Sequence, residues 1–235
     1  MRHDDMDSAG SCYEAVALKY AAKQDTQPWN VHYERPGTLS LLPALDGVHV
    51  FDAGCGPGWY VEYLLDQGAT VTAIDLNADF VSMTKERVGE RATVQQADLA
   101  EPLVLLGDAS TDLVVAPLVM HYLKDWLPPL QEFQRVLKPG GLLVFSTHHP
   151  FMDFTEYEFD DYFGIQYIVD EWEIGTMTYY RRPLTKISED LEAAGFVIER
   201  LLEPLPTDAF RDVHPRGYEK LSKNPWFLFI RARKS

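Results

Sequence analysis

Two cysteines, Cys12 and Cys55, are all that the 235 residues contain. They are too few for a disulfide framework and lack the paired spacing of a metal site. Long apolar runs are missing too, and none approaches the roughly 20 residues needed to cross a bilayer. The opening Met1-Arg2-His3-Asp4-Asp5 has no apolar segment of the kind a secretory signal requires. These absences predict a cytoplasmic chain with no membrane partner. Basic residues are scarce, 21 against 36 acidic ones, for a formal net charge of −15. Such an excess repels phosphate backbones at long range and argues against nucleic acid as a partner. No repeat or low-complexity tract divides the chain.

What is present is a well-supplied apolar fraction, 46% of residues, enough for one large α/β domain over residues 1–235. Strand-like and helix-like segments alternate, as in a parallel sheet covered on both faces. A helix is expected around Tyr13 to Lys23, followed by a looser stretch from Trp29 to Pro36. Strands are expected at His49–Ala53, at Val71–Asp75, at Thr93–Ala97 and at Thr111–Ala116. Helices should run from Trp59 to Asp66 and from the cap Asn77 to about Arg87. Asp125 is expected to cap a helix with Pro128 and Pro129 in its first turn, and Trp126, Leu130, Phe133 and Leu137 recur on one face. Pro139 should end that helix, with Gly140 and Gly141 supplying a turn before a fifth strand. Residues 150–182 break the alternation with a dense aromatic and acidic insertion. A helix over Leu184, Ile187, Leu191 and Ala194 follows. A strand from Phe196 to Leu202, a long loop, and a last strand from Trp226 to Ala232 complete the chain, the two strands forming an antiparallel edge.

The densest signal is Asp52-Ala53-Gly54-Cys55-Gly56-Pro57-Gly58 at the end of the first strand. Without a Cβ, glycines let the backbone turn sharply and approach a ligand closely. The dinucleotide fingerprint needs a third glycine where this chain has the bulky Trp59, which argues against that cofactor. Cys55 fits as a small side chain in a tightly packed loop; a nucleophile is the alternative. Asp75, at the end of the second strand, sits where a βαβ unit delivers a carboxylate able to accept both ribose hydroxyls. The bland alternative is an acid at a helix start.

Taken in order, Asp52 to Gly58, Asp75, Asp98-Leu99, Val115-Ala116-Pro117-Leu118 and Arg135 to Gly141 resemble the bacterial class I methyltransferases of the type 11 group. The likeness is close over about residues 47–147. It implies a Rossmann-like seven-stranded sheet of order 3-2-1-4-5-7-6 with strand 7 antiparallel, and S-adenosylmethionine as cofactor. It further implies cofactor contacts at Asp52, Gly54, Cys55, Gly56 and Gly58, at Asp75 and Leu76 by the ribose, at Asp98 and Leu99 by the adenine, and at Ala116.

A sulfonium methyl is already activated, so such an enzyme must align a nucleophile and exclude water. A base is needed only where the nucleophile arrives protonated. His121, after the fourth strand, and His148 and His149, after the fifth, are the candidates, with His121 first. The bland reading of any one of them is a loop cap. Adjacent on a strand, His148 and His149 would point apart and not share a metal, so no metal is expected. Tyr20, Tyr33 and Arg35 in the N-terminal segment 1–46, and the insertion 150–182, are expected to cover the acceptor. Arg181 and Arg182 could bind an acceptor carboxylate or phosphate, or pair with Asp160, Asp161, Asp170, Glu171 and Glu173. The expected acceptor is a small molecule, and the expected state is a monomer or homodimer. A protein methyltransferase and a non-catalytic S-adenosylmethionine-binding regulator stay open. The chain lacks the Asp/Asn-Pro-Pro-aromatic motif of enzymes that methylate base amines.

Overall fold

The structure, a computed structural model, describes residues 16–235. Cys12 and Tyr13 lie outside the described residues. Helix α1 (Ala17–Gln24) is followed by a π-helical turn, Asn30–Glu34, that runs directly into α2 (Arg35–Leu39). Next come β1 (His49–Ala53), α3 (Trp59–Asp66), β2 (Thr70–Asp75), α4 (Ala78–Val88), β3 (Thr93–Gln96), β4 (Thr111–Pro117), α5 (Leu127–Val136) and β5 (Leu137–His148). The insertion holds α6 (Pro150–Glu156), β6 (Gln166–Trp172) and β7 (Gly175–Arg181). The chain then passes through α7 (Leu184–Ala193), β8 (Phe196–Leu202), α8 (Asp208–Val213), α9 (Pro215–Leu221) and β9 (Phe227–Lys234).

The sheet order is β3-β2-β1-β4-β5-β9-β8. Strand β9 is antiparallel to both β5 and β8, while the other pairs are parallel. This is the expected 3-2-1-4-5-7-6 order, because β6 and β7 leave the sheet and pair only with each other. Strand order reverses between β1 and β4, which opens a crevice at the carboxyl ends of the central strands. Apolar residues on both faces explain why those strands read as nearly continuous hydrophobic runs. Phe51, Val114, Phe145 and Ile230 pack on one side; Val50, Val115, Val144 and Phe229 pack on the other.

Several boundaries differ from the sequence expectation. Helix α5 starts at Leu127, whose N–H donates to Asp125 Oδ1 at 3.1 Å, and stops at Val136. Leu137 is therefore the first residue of β5, paired with Thr111, and its burial reflects the sheet rather than a helical stripe. Of the two glycines, only Gly140 has positive φ (74°). Gly141 is required by crowding instead, since a Cβ there would lie 2.9 Å from the Lys138 carbonyl oxygen. The stretch before the last strand is not a bare loop but carries α8 and α9. Each is one to two turns long, too short for a periodic signal. His214 links them, its Nδ1 accepting the Gly217 N–H at 2.9 Å.

The N-terminal segment and the insertion meet over the crevice. Val16 packs with Ile168, Ile174, Met177 and Tyr179 of the hairpin, and Lys23 Nζ reaches Glu173 Oε2 at 2.6 Å.

Candidate active site

A cavity of ≈ 480 Å³ lies over the carboxyl ends of β1, β2, β4 and β5. Its floor is the loop after β1. The N–H groups of Gly54 and Cys55 both donate to the Ile74 carbonyl at 2.9 Å, tying the loop to β2. Gly54 has φ +80°, and a Cβ would sit 2.5 Å from Val119 Cγ2. Gly56 has φ +53° but nothing within 4 Å of a Cβ, so its backbone faces open space. Beside it, Asp75 Oδ2 accepts the Gly56 N–H at 2.8 Å and Oδ1 accepts the Asn77 N–H at 2.9 Å. Burial pushes the Asp75 carboxyl up to about 6. Leu76, Asp98 and Leu99 line the same end.

A buried carboxylate crosses this end from the N-terminal segment. Glu34, at the end of the π-helical turn, is only 3% exposed. It accepts hydrogen bonds from Thr38 Oγ1 (2.7 Å), Ser146 Oγ (2.7 Å) and the Tyr60 hydroxyl (2.8 Å). Its neighbour Arg35 stacks over Trp59 at 4.0 Å and donates to the Gln24 carbonyl at 2.9 Å. Both residues, with Tyr20, line the cavity.

The opposite end lies beneath the hairpin. His121 and His148 line it with ring centroids 4.5 Å apart. His121 is buried, and neither ring nitrogen has a hydrogen-bond partner among the described residues. Burial, with His148 and Arg182 nearby, holds its pKa well below the usual imidazole range. His148 Nδ1 faces Asp153 Oδ1 at 3.5 Å, and its ring is parallel to that of Trp172. The Tyr157 and Tyr179 hydroxyls are 3.1 Å apart and close the far wall. Among the described residues, no group of three His, Cys, Asp or Glu side chains could hold a metal ion.

Residues 51–145 match the family described as "Methyltransferase domain". An S-adenosylmethionine-dependent methyltransferase of known structure from Mesorhizobium loti superposes with a TM-score of 0.75 at 27% identity, covering 89% of this chain and 99% of that one. An uncharacterized protein of Haemophilus influenzae is 27% identical over 223 residues, 86% of this chain and 87% of its own. A malonyl-[acyl-carrier protein] O-methyltransferase of Enterobacter lignolyticus is 37% identical over 109 residues, 46% of this chain and 42% of that protein. The matched stretch thus spans less than half of that curated relative. Over its glycine loop and central strands the chain is similar to S-adenosylmethionine-dependent methyltransferases. The order of its motifs, the sheet topology and these relatives agree.

The donor set at the glycine end of the cavity suits S-adenosylmethionine. A cradle left open at Gly56, a carboxylate at the end of β2 and buried acids beneath fit a ligand with ribose hydroxyls and positive charge. Asp52 is fully buried, and neither of its oxygens has a hydrogen-bond partner among the described residues. Burial and the charge of Asp75 push it up to about 8.

Not every residue expected at the site reaches the cavity. Asp52, Gly58 and Ala116 do not line it. Gly58 opens α3 at φ +87° and leaves no room for a Cβ against Thr84, 2.8 Å away; Ala116 is buried in the sheet, and Pro117, Leu118 and Val119 present the β4 end instead. Cys55 lines the cavity, but burial raises its thiol well above the usual range, against a nucleophile. Tyr33 is packed against Phe227 and its hydroxyl accepts the Trp226 N–H at 3.0 Å. His149 turns away from His148: Nδ1 accepts the Phe151 N–H at the start of α6 and Nε2 meets Glu203 at 2.7 Å. It is a helix cap.

The arginine pair is also corrected. Arg181 and Arg182 are 1% and 3% exposed and do not line the cavity. Arg181 donates to the carbonyls of Pro150 (3.0 Å), Tyr162 and Gly164 (3.2 Å) and to Gln166 Oε1 (2.9 Å). Arg182 donates to the Leu123 carbonyl at 2.5 Å and stacks over Trp126 at 4.0 Å. A buried guanidinium needs acceptors for a fan of donors; the turns flanking the hairpin provide carbonyls, and Asp190, outside the insertion, faces Arg182 at 4.0 Å. Sequence reading missed Glu34, Tyr60, Ser146 and Asp153. Adjacent opposite charges at Glu34-Arg35 within an aromatic segment were the one available signal.

Proposed function

We propose that the enzyme transfers a methyl group from S-adenosylmethionine to a small-molecule acceptor held beneath the β6–β7 hairpin. One observation carries this reading: a single cavity joins the glycine loop at one end to the His121–His148 pair at the other. Its size is within the roughly 300–1,000 Å³ of small-ligand pockets. Gly54, Cys55 and Gly56 would hold the cofactor through backbone groups, Asp75 and Leu76 on its ribose side and Asp98 and Leu99 on its adenine side. The bound cofactor supplies an electrophilic methyl group.

The chain's own residues align and shield. Trp172, Tyr157 and Tyr179 exclude water from the acceptor end. His148, with Nδ1 toward Asp153, leaves Nε2 to take a proton from an acceptor that must lose one, and Asp153 stabilises the imidazolium. His121, kept neutral by burial, accepts a hydrogen bond that orients the acceptor. This ranks His148 ahead of His121 as the base. The test is methyl-labelled S-adenosylmethionine incubated with the enzyme and a metabolite extract: label should appear in low-mass product and fall away with His148→Ala. Label confined to protein would overturn the reading.

A further inference from the structure

The acceptor end contains more negative charge than its surroundings neutralise. Asp153 is 6% exposed and lines the cavity. Its Oδ1 faces His148 at 3.5 Å, but Oδ2 has no hydrogen-bond partner among the described residues. A second carboxylate, Asp170, lines the same end, where it accepts from the Trp172 indole N–H at 2.8 Å and from the Tyr157 hydroxyl, both neutral donors that leave its charge uncompensated by a cation. Two cationic side chains among the described residues reach the cavity, and both are committed elsewhere. Arg35 stacks on Trp59 and donates to a backbone carbonyl. Lys220 Nζ lies 3.6 Å from Glu156 and 4.2 Å over the Trp226 ring. The arginines that could have received an anion, Arg181 and Arg182, lie behind the wall, where they donate to backbone carbonyls and Arg182 faces Asp190 at 4.0 Å.

An anionic acceptor entering here would meet two carboxylates, while the Arg181 charge that acts on Asp153 lies behind the wall, outside the cavity lining. A cation would instead serve Asp153 Oδ2, the oxygen left without a hydrogen-bond partner among the described residues, since a buried charge is tolerated only when paired. Aromatic walls favour the same sign, because the faces of rings such as Trp172 and Tyr179, which line the cavity, carry the negative part of their quadrupoles. Resting on the small-molecule reading above, we infer that the acceptor carries a cationic nitrogen, an ammonium or protonated heterocycle, anchored by Asp153 and Asp170 among the Trp172, Tyr157 and Tyr179 rings.

Calorimetry of the full chain, saturated with S-adenosylhomocysteine, with phenethylamine, 2-phenylethanol and 3-phenylpropionate compares one skeleton in three charge states. The amine should bind roughly tenfold or more tighter than the alcohol, and the carboxylate weakest. Asp153→Asn should bring the amine-to-alcohol ratio near one; Asp170→Asn, farther from His148, provides a second variant should the first misfold. Equal binding of amine and alcohol, tighter binding of the carboxylate, or no binding of the amine would overturn the assignment. Cation-exchange separation of labelled product from the metabolite extract distinguishes the two levels. Low-mass label in the neutral or anionic fraction overturns the cationic anchor and leaves small-molecule transfer standing. Label confined to protein overturns the transfer reading itself.

Discussion

Asp75 holds the loop that it faces: its Oδ2 accepts the Gly56 N–H at 2.8 Å, across 19 residues of chain. The end of β2 and the glycine loop after β1 are therefore one unit, and whatever binds above Gly56 is also next to the Asp75 carboxylate. Replacing Asp75 with Ala removes that acceptor and the one serving Asn77. Affinity for S-adenosylhomocysteine should fall by about 1–3 kcal/mol, with a lower melting temperature for the free chain. Unchanged affinity by calorimetry would place the cofactor elsewhere.

Three glycines in the same loop should respond differently. A side chain at Gly56 meets no protein atom within 4 Å, so Gly56→Val adds only the strain of a positive φ, roughly 1–2 kcal/mol, and projects into the cavity. It should stay folded and lose cofactor binding. Gly58→Val drives into Thr84 and Gly54→Val into Val119, so both should lose stability as well. Thermal melts alongside binding isotherms separate the two outcomes, and a Gly56→Val variant that binds normally would remove the loop from the site.

How far the sequence could be read depends on how local each feature is. The loop, Asp75 and the sheet order rest on short motifs in fixed register, and each stands where its motif implies. The acceptor end does not, because it is assembled from the ends of β4 and β5, α6 and the hairpin. Asp153 meets His148 only because α6 folds back after Pro150, and nothing in local spacing signals that. Arg181 and Arg182 show the converse. Two adjacent guanidinium groups in an acidic chain resemble an anion site, but alternation along β7 and its exit turns both inward onto carbonyls. A strong motif fixes the backbone near it; it leaves the burial of distant side chains undetermined.

Asp52 gives the chain a pH signature. Its carboxyl is pushed up to about 8, first by burial and then by Asp75, against an ordinary carboxylate pKa of about 3.9 in the unfolded chain. Between these values the folded state binds more protons than the unfolded one, so this residue lowers stability as pH rises from about 4 to about 8. Asn cannot ionise. The melting temperature of Asp52→Asn, minus that of wild type, should therefore increase steadily from pH 5 to pH 8, whatever its offset at pH 5. A difference that is flat with pH would mean that Asp52 is not the proton-binding group.

Arg182 should behave as a structural residue. Arg182→Met leaves the Leu123 carbonyl without its donor and removes the stack on Trp126, a loss of about 1–3 kcal/mol. The melting temperature should drop by several degrees while KM for the acceptor changes little. A raised KM with an unaltered melting temperature would return this residue to acceptor binding.

The three histidines should separate in one set of variants. His149→Ala loses a helix cap and the Glu203 contact; stability should fall by about 1 kcal/mol with kcat almost unchanged. His121 is already neutral at physiological pH, because burial holds it well below the usual imidazole range. His121→Asn should therefore raise KM more than it lowers kcat, and should leave the acid limb of the pH–rate profile in place. His148→Ala should lower kcat by about 10²- to 10⁴-fold and abolish that limb. Asp153→Asn, which keeps the imidazole but loses the charge facing it, should fall between wild type and His148→Ala. Should the limb survive in His148→Ala and vanish in His121→Asn, the two roles are reversed. Near-normal kcat and a flat profile in all of them would mean that alignment and exclusion of water carry the reaction without a base.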